Sequence, residues 1–396
     1  MHGRDIVIIG LQPWYYEIGS NCKNIALGLA KNNRVLYVNL PVNRKTWYAK
    51  EKTKGVRHHI DLIRNKKEKV HAVAPNIWEF YPPTLLESIN WLPFTPLFRW
   101  GTWINNRRLA RDIRSAAGQL GFTDIILFND NDVYNGFYLK ETLSPSLYVY
   151  YMRDFLQGYP YFRKHLPPLE SALIKKSDIV VANSIWYTEY ASGYNPRTTY
   201  IGQGCNLELF DASREQARPE DMAAFPHPII GYVGALDSER LDLNIIEKIA
   251  LANTAWSVVL VGPEDETFTH SRLHEIPNIH FLGRRPLAQL PAYIKTFDAC
   301  INPQLNNTIT RGNYPLKIDE YLAMGKPVVA TRTGAMKLFG DYTYLAGNPE
   351  EYPALLQRAL AEDTPENQRE RIAFARTHTW ENSVNDLYKA IRQATS

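Results

Sequence analysis

The residues best suited to chemistry lie close together in the stretch Asn302–Thr331. A helix is predicted to begin at Pro315 and to stop at Gly325, because proline favours the first helical position and glycine the residue after the last turn. Lys317 and Glu320 are three residues apart and therefore share a helix face. Beside the free N–H groups of a helix N-terminus, a lysine can neutralise a diphosphate and a glutamate can accept hydrogen bonds from a ribose diol. The same spacing is typical of a surface ion pair, so spacing alone leaves both interpretations open.

Strands alternate with helices along the whole chain. In the first half, short apolar runs predict buried strands at 5–10, 34–39, 124–128, 147–151 and 178–182. In the second half, the predicted strands are 229–233, 256–261, 279–281, 299–301 and 328–330. Helical patterns such as 20–31 and 244–252 lie between strands. This alternation predicts an α/β protein with parallel, doubly wound sheets.

Length and charge indicate two domains of different character. The 396 residues carry a net charge of +4 and ordinary globular composition, which excludes disordered, collagen-like and disulfide-scaffold classes. Residues 1–200 hold 26 Lys+Arg against 16 Asp+Glu, whereas residues 201–396 hold 19 against 25. The charge balance of +10 in residues 1–200 favours a polyanion or an anionic membrane as the partner of that half. The alternative is that the surfaces of the two domains simply differ in charge. The three cysteines have no metal-ligand spacing and favour a reducing compartment.

Two segments of the first half interrupt the strand–helix pattern. The segment 44–69 has ten Lys+Arg against three Asp+Glu, and 88–114 combines Trp, Phe and Pro with several arginines. Each is explained either as a solvated loop or piece of core, or as a patch that contacts a membrane surface through aromatic and basic side chains. Nucleic acid is not an expected partner, since no recognition-helix or RNA-binding pattern accompanies the charge.

The stretch Tyr314–Ala330 resembles the donor-site motif of GT-B glycosyltransferases. It reads Tyr-Pro-Leu-Lys-Ile-Asp-Glu-Tyr-Leu-Ala-Met-Gly-Lys-Pro-Val-Val-Ala, and is most similar to family 4, in particular to the teichuronic-acid-type and xanthan glucuronosyltransferase-like enzymes. Further segments resemble the same family in the same order: Gly231–Asp237, Leu260–Pro263, Pro277–Gly283, Leu290–Asp298, His378–Glu381 and Val384–Ile391. The resemblance covers about 170 residues of the second half.

The resemblance implies two Rossmann-like domains that face each other across a cleft. Residues 1–210 are expected to form the acceptor-side domain and 226–376 the nucleotide-sugar-binding domain, with 377–396 as a helix that returns to the first domain. The Ala-, Pro- and charge-rich segment 211–228 is expected to be the linker.

The resemblance also implies roles for individual residues of the second half. Glu320 is expected to bind the ribose and Lys317 the diphosphate. The other expected nucleotide-sugar contacts, near the phosphates or the base, are Gly234, Ala235, Arg240, Gly262, Arg284, Tyr293, Asn307 and Thr308. The chain departs from the family at Gly312, where many members have a second glutamate that holds the donor sugar.

In the first half, Asp154 follows the strand 147–151 and resembles an aspartate of the glucuronosyltransferase-type relatives. It is the expected catalytic base, although a helix cap or a salt bridge with Arg153 or Arg163 would explain it equally well. Asp130 and Asp132 follow another strand, and this spacing is also that of the metal–nucleotide motif of the GT-A fold. We expect them to lie on the acceptor side, with no metal site.

The expected function is metal-independent glycosyl transfer without a cofactor. The donor is expected to be a UDP-sugar and the acceptor a lipid-linked or polysaccharide glycan of the cell surface. The expected location is cytoplasmic, with peripheral contact to the inner face of a membrane through 44–69 and 88–114. A sugar-nucleotide epimerase on the same fold and a non-catalytic nucleotide-sugar-binding protein are the alternatives, the second because of Gly312.

Overall fold

A computed structural model describes residues 1–15 and 20–395, which form two compact units. Unit 1 comprises Met1–Gly202 and Ser383–Ser396, and unit 2 comprises Gln203–Asn382. The segment expected to be a linker belongs to unit 2, because Met222 is buried in that unit's core and Phe225 packs against it.

Unit 1 is built on an eight-stranded sheet in the order β3-β4-β2-β1-β5-β6-β7-β8. The strands are β1 (Asp5–Gly10), β2 (Arg34–Val38), β3 (Val70–Ala74), β4 (Ile77–Phe80), β5 (Ile126–Asp130), β6 (Leu147–Met152), β7 (Ile179–Ala182) and β8 (Thr198–Tyr200). All neighbours are parallel except β3 and β4, which are antiparallel, so the prediction of a wholly parallel sheet is wrong at this edge. The central strands are buried on both faces, which explains their continuous apolar runs.

The helices of unit 1 connect these strands. They are α1 (Asn21–Ala30), α2 (Arg44–Tyr48), α3 (Lys54–Arg64), α4 (Thr95–Gln119), α5 (Val133–Gly136), α6 (Leu139–Leu143), α7 (Leu166–Lys176) and α8 (Ile185–Ser192). Ser20 caps α1, because its Oγ accepts a hydrogen bond from the Lys23 N–H at 3.1 Å. Within the described ranges, none of the helices combines the length and the apolar composition needed to span a lipid bilayer.

Unit 2 is built on a six-stranded, wholly parallel sheet in the order β11-β10-β9-β12-β13-β14. The strands are β9 (Ile229–Val233), β10 (Ser257–Val261), β11 (Ile279–Phe281), β12 (Ala299–Asn302), β13 (Val328–Thr331) and β14 (Tyr344–Ala346). The helices are α9 (Leu243–Ala252), α10 (Glu266–Thr269), α11 (Leu290–Thr296), α12 (Leu316–Ala323), α13 (Tyr352–Ala361), α14 (Pro365–Ala375) and α15 (Trp380–Thr395), whose residues from Ser383 onward belong to unit 1.

In each sheet the strand order reverses direction at one point. In unit 2 this point lies between β9 and β12, and in unit 1 it lies between β1 and β5. Connections leave such a pair of strands toward opposite sides, so a crevice opens at their carboxyl ends, and ligands of open α/β sheets bind there. Both Rossmann-like units therefore have a crevice in which a ligand can bind.

The last helix packs on the first one within unit 1. The hydroxyl of Tyr388 accepts a hydrogen bond from Asn33 Nδ2 at 2.9 Å, and Val384 lies against Gly28 of α1. A glycine at position 28 allows the two helices to approach closely.

Replacing Gly28 by alanine is expected to destabilise unit 1 by about 1–2 kcal/mol, because the new Cβ would lie 2.7 Å from Cγ2 of Val384. Gly118→Ala in α4 is the control: no described atom lies within 4 Å of its Cβ position. Alanine should stabilise that exposed helical position by about 0.4–1 kcal/mol. Urea denaturation followed by circular dichroism measures both effects, and equal effects would contradict the packing of α15 on α1.

Candidate functional site

Two glycine turns meet at the carboxyl ends of β9 and β10. A Cβ added to Gly262 would lie only 1.8 Å from the carbonyl oxygen of Gly234, so no larger residue fits there. Gly234 has φ +144°, a conformation that residues with a side chain rarely adopt. These turns bring main-chain groups of Gly234 and Ala235 to the crevice of unit 2, and Ala235 is exposed.

The helix α12 presents Lys317 to this turn. The helix begins at Leu316, one residue later than predicted, and Pro315 takes the capping position, so Lys317 lies in the first turn. Its Nζ donates a hydrogen bond to the hydroxyl of Tyr232 at 2.6 Å and lies 3.1 Å from the Cβ position of Gly234. The ammonium group is therefore held at the glycine turn and adds its charge to the N–H groups of the helix end.

Glu320 lies one turn further along the same helix face. Within the described residues, no ion pair joins it to Lys317 and no hydrogen bond reaches its carboxylate, so the surface ion-pair interpretation does not apply. The side chain keeps some contact with solvent but is otherwise surrounded by protein. This burial raises the pKa of Glu320 to about 8, with the neighbouring Asp319 adding to the rise and Lys317 opposing it. A half-buried carboxyl group without a hydrogen-bond or ion-pair partner is suited to hold a ligand.

The opposite side of α12 is fixed by Asp319, which is fully buried. One of its carboxylate oxygens accepts a hydrogen bond from Tyr314 Oη at 2.6 Å, and the other lies 2.7 Å from His378 Nδ1. Burial raises the pKa of Asp319, while both partners favour its ionised form. These contacts connect the helix start to the loop before it and to the segment after α14.

Three buried polar side chains near this crevice have atoms without a hydrogen-bond partner in the described structure: Asn302, Gln304 and Thr333. Asn302 ends β12, Gln304 follows it by two residues, and Thr333 comes two residues after β13. Sequence reasoning missed them, although each is a polar residue at or just after the end of a buried strand. Unpaired buried polar groups are costly, and a ligand that hydrogen-bonds to them recovers that cost.

The loop between β12 and α12 is stabilised from within. The side-chain oxygen of Asn307 accepts hydrogen bonds from the N–H groups of Ile309 at 2.9 Å and Thr310 at 3.1 Å. The Asn307 N–H itself lies 3.2 Å from Thr310 Oγ1. The phosphate contact expected at Asn307 and Thr308 stays a prediction, and in this structure Asn307 shapes the loop.

Arg240 borders the same loop from the β9 side. Its carbonyl oxygen accepts a hydrogen bond from the Leu305 N–H at 2.9 Å, and its guanidinium lies 3.6 Å from the carboxylate of Asp237. Its main chain thus supports the loop, and a contact of its side chain with phosphate stays a prediction.

The residues expected beside the base occupy different environments. Tyr293 is buried, and its hydroxyl contacts Asp221 at 3.0 Å and Arg285 Nε at 2.8 Å. Arg284 is exposed. Arg285, which sequence reasoning missed, is therefore the arginine that contacts Tyr293. The assignment of Arg284 to the base remains a prediction.

In unit 1 a charged cluster occupies the carboxyl ends of β5 and β6. Arg153 Nε lies 2.7 Å from Asp130 Oδ1, and Arg153 Nη1 lies 2.5 Å from Asp154 Oδ2. The salt bridge considered for Asp154 thus exists with Arg153. Asp130 is fully buried, whereas the Asp154 side chain keeps 25% of its exposure. Asp154 is therefore accessible enough to act as a base, and that role stays a prediction.

Asp132 is a capping residue. Its carboxylate accepts hydrogen bonds from the N–H of Asn135 at 3.0 Å and from that residue's Nδ2 at 2.7 Å at the start of α5. Across residues 1–15 and 20–395, no group of three or more His, Cys, Asp or Glu side chains is arranged to hold a metal ion. The acceptor-side role of Asp130 and Asp132 stays a prediction.

Comparison with known proteins agrees with this geometry. Residues 227–362 match the family model described as glycosyl transferases group 1. The chain is similar to the putative teichuronic acid biosynthesis glycosyltransferase TuaH of Bacillus subtilis (strain 168), with 25% identity over 244 residues. That match covers 59% of this chain and 60% of the relative, so it spans about three fifths of the relative's length.

Solved structures match over the full length. Sucrose-phosphate synthase of Thermosynechococcus elongatus superposes with a TM-score of 0.68 at 17% identity, covering 100% of both chains. HepE of Anabaena, solved in complex with UDP-glucose, superposes with a TM-score of 0.64 at 15% identity, and the match again covers 100% of both chains. The resemblance found in the sequence is confirmed: residues 227–362 match the glycosyl transferases group 1 family, and the chain has the GT-B fold.

Proposed function

We propose that the protein transfers a sugar from a nucleotide-diphosphate sugar to a glycan acceptor, and that the nucleotide of the donor is UDP. The observation that carries the proposal is the pair on α12: Lys317 is held at the glycine turn, and the half-buried Glu320 lies one turn away with no hydrogen-bond or ion-pair partner among the described residues. A diphosphate beside Lys317 and a ribose diol beside Glu320 would use both groups. The solved complex of HepE with UDP-glucose supports this choice of donor.

The departing diphosphate needs stabilisation as the sugar is transferred. The bond from the anomeric carbon to the phosphate oxygen breaks, its electron pair leaves with the diphosphate, and the acceptor oxygen forms the new bond. Lys317 and the N-terminal N–H groups of α12 would stabilise the charge that develops on the diphosphate. No cofactor or metal is required by this scheme.

Donor sugar binding must differ from the pattern with two glutamates, since Gly312 has no side chain to offer. The unpaired groups of Asn302, Gln304 and Thr333 are neutral donors and acceptors at the same sheet edge. We propose that sugar hydroxyls satisfy some of them in place of the absent carboxylate.

The acceptor is proposed to be a lipid-linked or polysaccharide glycan. The basic balance of residues 1–200 and the similarity to a teichuronic acid biosynthesis glycosyltransferase support it. The proposed location is the cytoplasmic side of a membrane. This part of the proposal concerns where the reaction occurs and can fail without affecting the donor site.

Lys317→Met is expected to weaken UDP binding by about tenfold to a hundredfold, because one charge-assisted hydrogen bond contributes roughly 1.5–3 kcal/mol. Isothermal titration calorimetry with UDP measures the change. Lys248→Met on α9 is the matched control, since it removes the same charge from a lysine that is paired with Glu350 at 2.7 Å. Equal affinities of both variants and the unchanged protein would remove Lys317 from the donor site.

Binding of UDP-glucose is expected to become tighter from about pH 6 to about pH 8, by up to about tenfold per pH unit. With its pKa raised to about 8, Glu320 is mostly protonated at pH 7 in the free protein. Hydrogen bonds from the ribose diol favour the ionised form, so binding lowers this pKa and releases a proton. Above about pH 8 the group is already ionised, and the affinity should level off.

Glu320→Gln is the control for this pH dependence. The variant should bind UDP-glucose more weakly, and its affinity should no longer change between these pH values. Calorimetry in buffers of different ionisation enthalpy reports the released proton directly. A pH dependence that persists in Glu320→Gln would show that another group titrates.

Asp154→Asn is expected to lower the transfer rate by about a hundredfold or more, because the acceptor hydroxyl loses the group that takes its proton. UDP release from a panel of UDP-sugars is measured with and without a lipid-diphosphate-linked disaccharide. The control Asp124→Asn changes an exposed aspartate of the same unit. UDP affinity should not change in either variant. A fully active Asp154→Asn would exclude it as the base, and release that is independent of every acceptor would contradict transfer.

A further inference from the structure

One face of α4 and the loop before it carry aromatic residues that lead into arginines. We call this the aromatic–arginine surface, and its members are Trp91, Phe94, Leu97, Trp100, Trp103, Arg107, Arg111 and Arg114. From Leu97 onward they recur every three or four residues, which places them along one side of the helix. The apolar members lie at the N-terminal end and the arginines follow.

The apolar members are strongly exposed. Of the eleven large hydrophobic side chains exposed in the described structure, five lie between Trp91 and Trp103. The exposed fractions of Trp91, Phe94 and Trp100 are 73%, 66% and 65%. Such a cluster on one surface indicates a contact with another molecule or a membrane.

The opposite face of α4 fixes the orientation of this surface. Phe98, Leu109 and Ile113 are buried in the core of unit 1. Phe98 stacks on His165, with ring centroids 4.3 Å apart. Because these contacts hold the helix by its other side, the exposed aromatic residues cannot turn inward without disrupting the core.

The arginines line an open recess of about 700 Å³ beside Trp103. Its lining is Trp103, Ile104, Arg107, Arg108, Arg111, Arg114, Glu141 and Thr142. Two of the lining charges have close ion pairs, shorter than 3 Å: Arg108 with Glu87 at 2.8 Å, and Glu141 with Lys176 at 2.7 Å.

The remaining arginines are less well compensated. Arg111 contacts Thr84 Oγ1 at 2.8 Å and lies 3.4 Å from Asp112 Oδ1. Arg107 lies over the ring of Trp103, and Arg114 donates to the carbonyl oxygen of Thr142. No carboxylate lies within ion-pair distance of Arg107 or Arg114 in the described part of the chain. Like charges one turn apart on a helix repel, so an anion in the recess would stabilise this arrangement.

We propose that the aromatic–arginine surface docks on a lipid bilayer that contains anionic phospholipids. Tryptophan and phenylalanine side chains then lie at the headgroup boundary, and the arginine recess receives lipid phosphates through paired N–H donors. The adjacent apolar and cationic parts match the two layers of a membrane surface. The inference does not depend on the proposed transfer activity, because docking needs neither donor nor acceptor.

The surface is narrower than the two segments predicted from the sequence. In 44–69, Tyr48 is the one large hydrophobic side chain that is exposed within the described structure. The helix α3 buries His59, Ile60 and Leu62. The segment 44–69 therefore lacks the apolar cluster of α4, and we assign the docking contact to α4 and the loop before it.

Flotation of the full chain with lipid vesicles tests the inference. At low salt, binding to phosphatidylcholine vesicles with roughly one-third phosphatidylglycerol should be about tenfold or more stronger than binding to pure phosphatidylcholine. Arg107→Gln with Arg114→Gln should reduce the binding to anionic vesicles by about tenfold or more. Phe94→Ser with Trp100→Ser should reduce it by a similar factor and leave a salt-dependent remainder.

Matched double variants in unit 2 control for surface changes in general. Arg272→Gln with Arg358→Gln removes two exposed arginines, and Leu251→Ser with Leu287→Ser removes two exposed leucines. Both should bind anionic vesicles like the unchanged protein. The docking proposal is wrong if the unchanged protein does not prefer anionic vesicles, or if the α4 variants bind as the controls do.

Discussion

The buried carboxylate of Asp319 is the constraint on which the candidate donor site depends. It lies in the first part of α12, and its two oxygens contact Tyr314 and His378 at 2.6 and 2.7 Å. An unpaired carboxylate at this depth would cost several kcal/mol, so these partners hold the helix start in one position. Asp319 faces inward, whereas Lys317 and Glu320 lie about 200° and about 100° around the helix axis from it, so both lie off the buried face. Asp319, which has no proposed contact with the ligand, thus orients Lys317 and Glu320, which are proposed to bind it.

The two units use the same position in their sheets in chemically different ways. In unit 1 the carboxyl ends of the central strands carry Asp130, Arg153 and Asp154, whose charges are paired with one another. In unit 2 the corresponding edge carries a lysine hydrogen-bonded to a tyrosine, and a half-buried glutamate for which the described structure shows no hydrogen-bond or ion-pair partner. A paired cluster is complete without a ligand, whereas an unpaired one is stabilised when a ligand binds. This difference favours unit 2 as the unit that binds the nucleotide.

The sequence predicted what depends on local pattern and missed what depends on distant contacts. Central strands were predicted because strands buried on both faces are continuous apolar runs, whereas the half-exposed edge strands β3 and β14 lack that signal. Lys317 and Glu320 were found by helical spacing, but the role of Asp319 depends on His378, which is 59 residues away. Nothing local in the sequence marks Arg285, because its contact with Tyr293 Oη, eight residues further along the chain, exists only in the folded structure.

Net charge describes these units less well than the placement of a few side chains. Residues 201–396 carry an acidic balance of −6, yet they hold the proposed diphosphate site. At physiological ionic strength, charges farther apart than about 8 Å are largely screened, so a phosphate responds mainly to the nearest groups. At the glycine turn those are the Lys317 ammonium and the N-terminal end of α12. The same reasoning applies to residues 1–200, whose charge balance is +10. That charge can attract an anion to one place only where Arg107 and Arg114 line the same recess as Trp103. Local geometry, more than overall charge, therefore determines which anion each unit can bind.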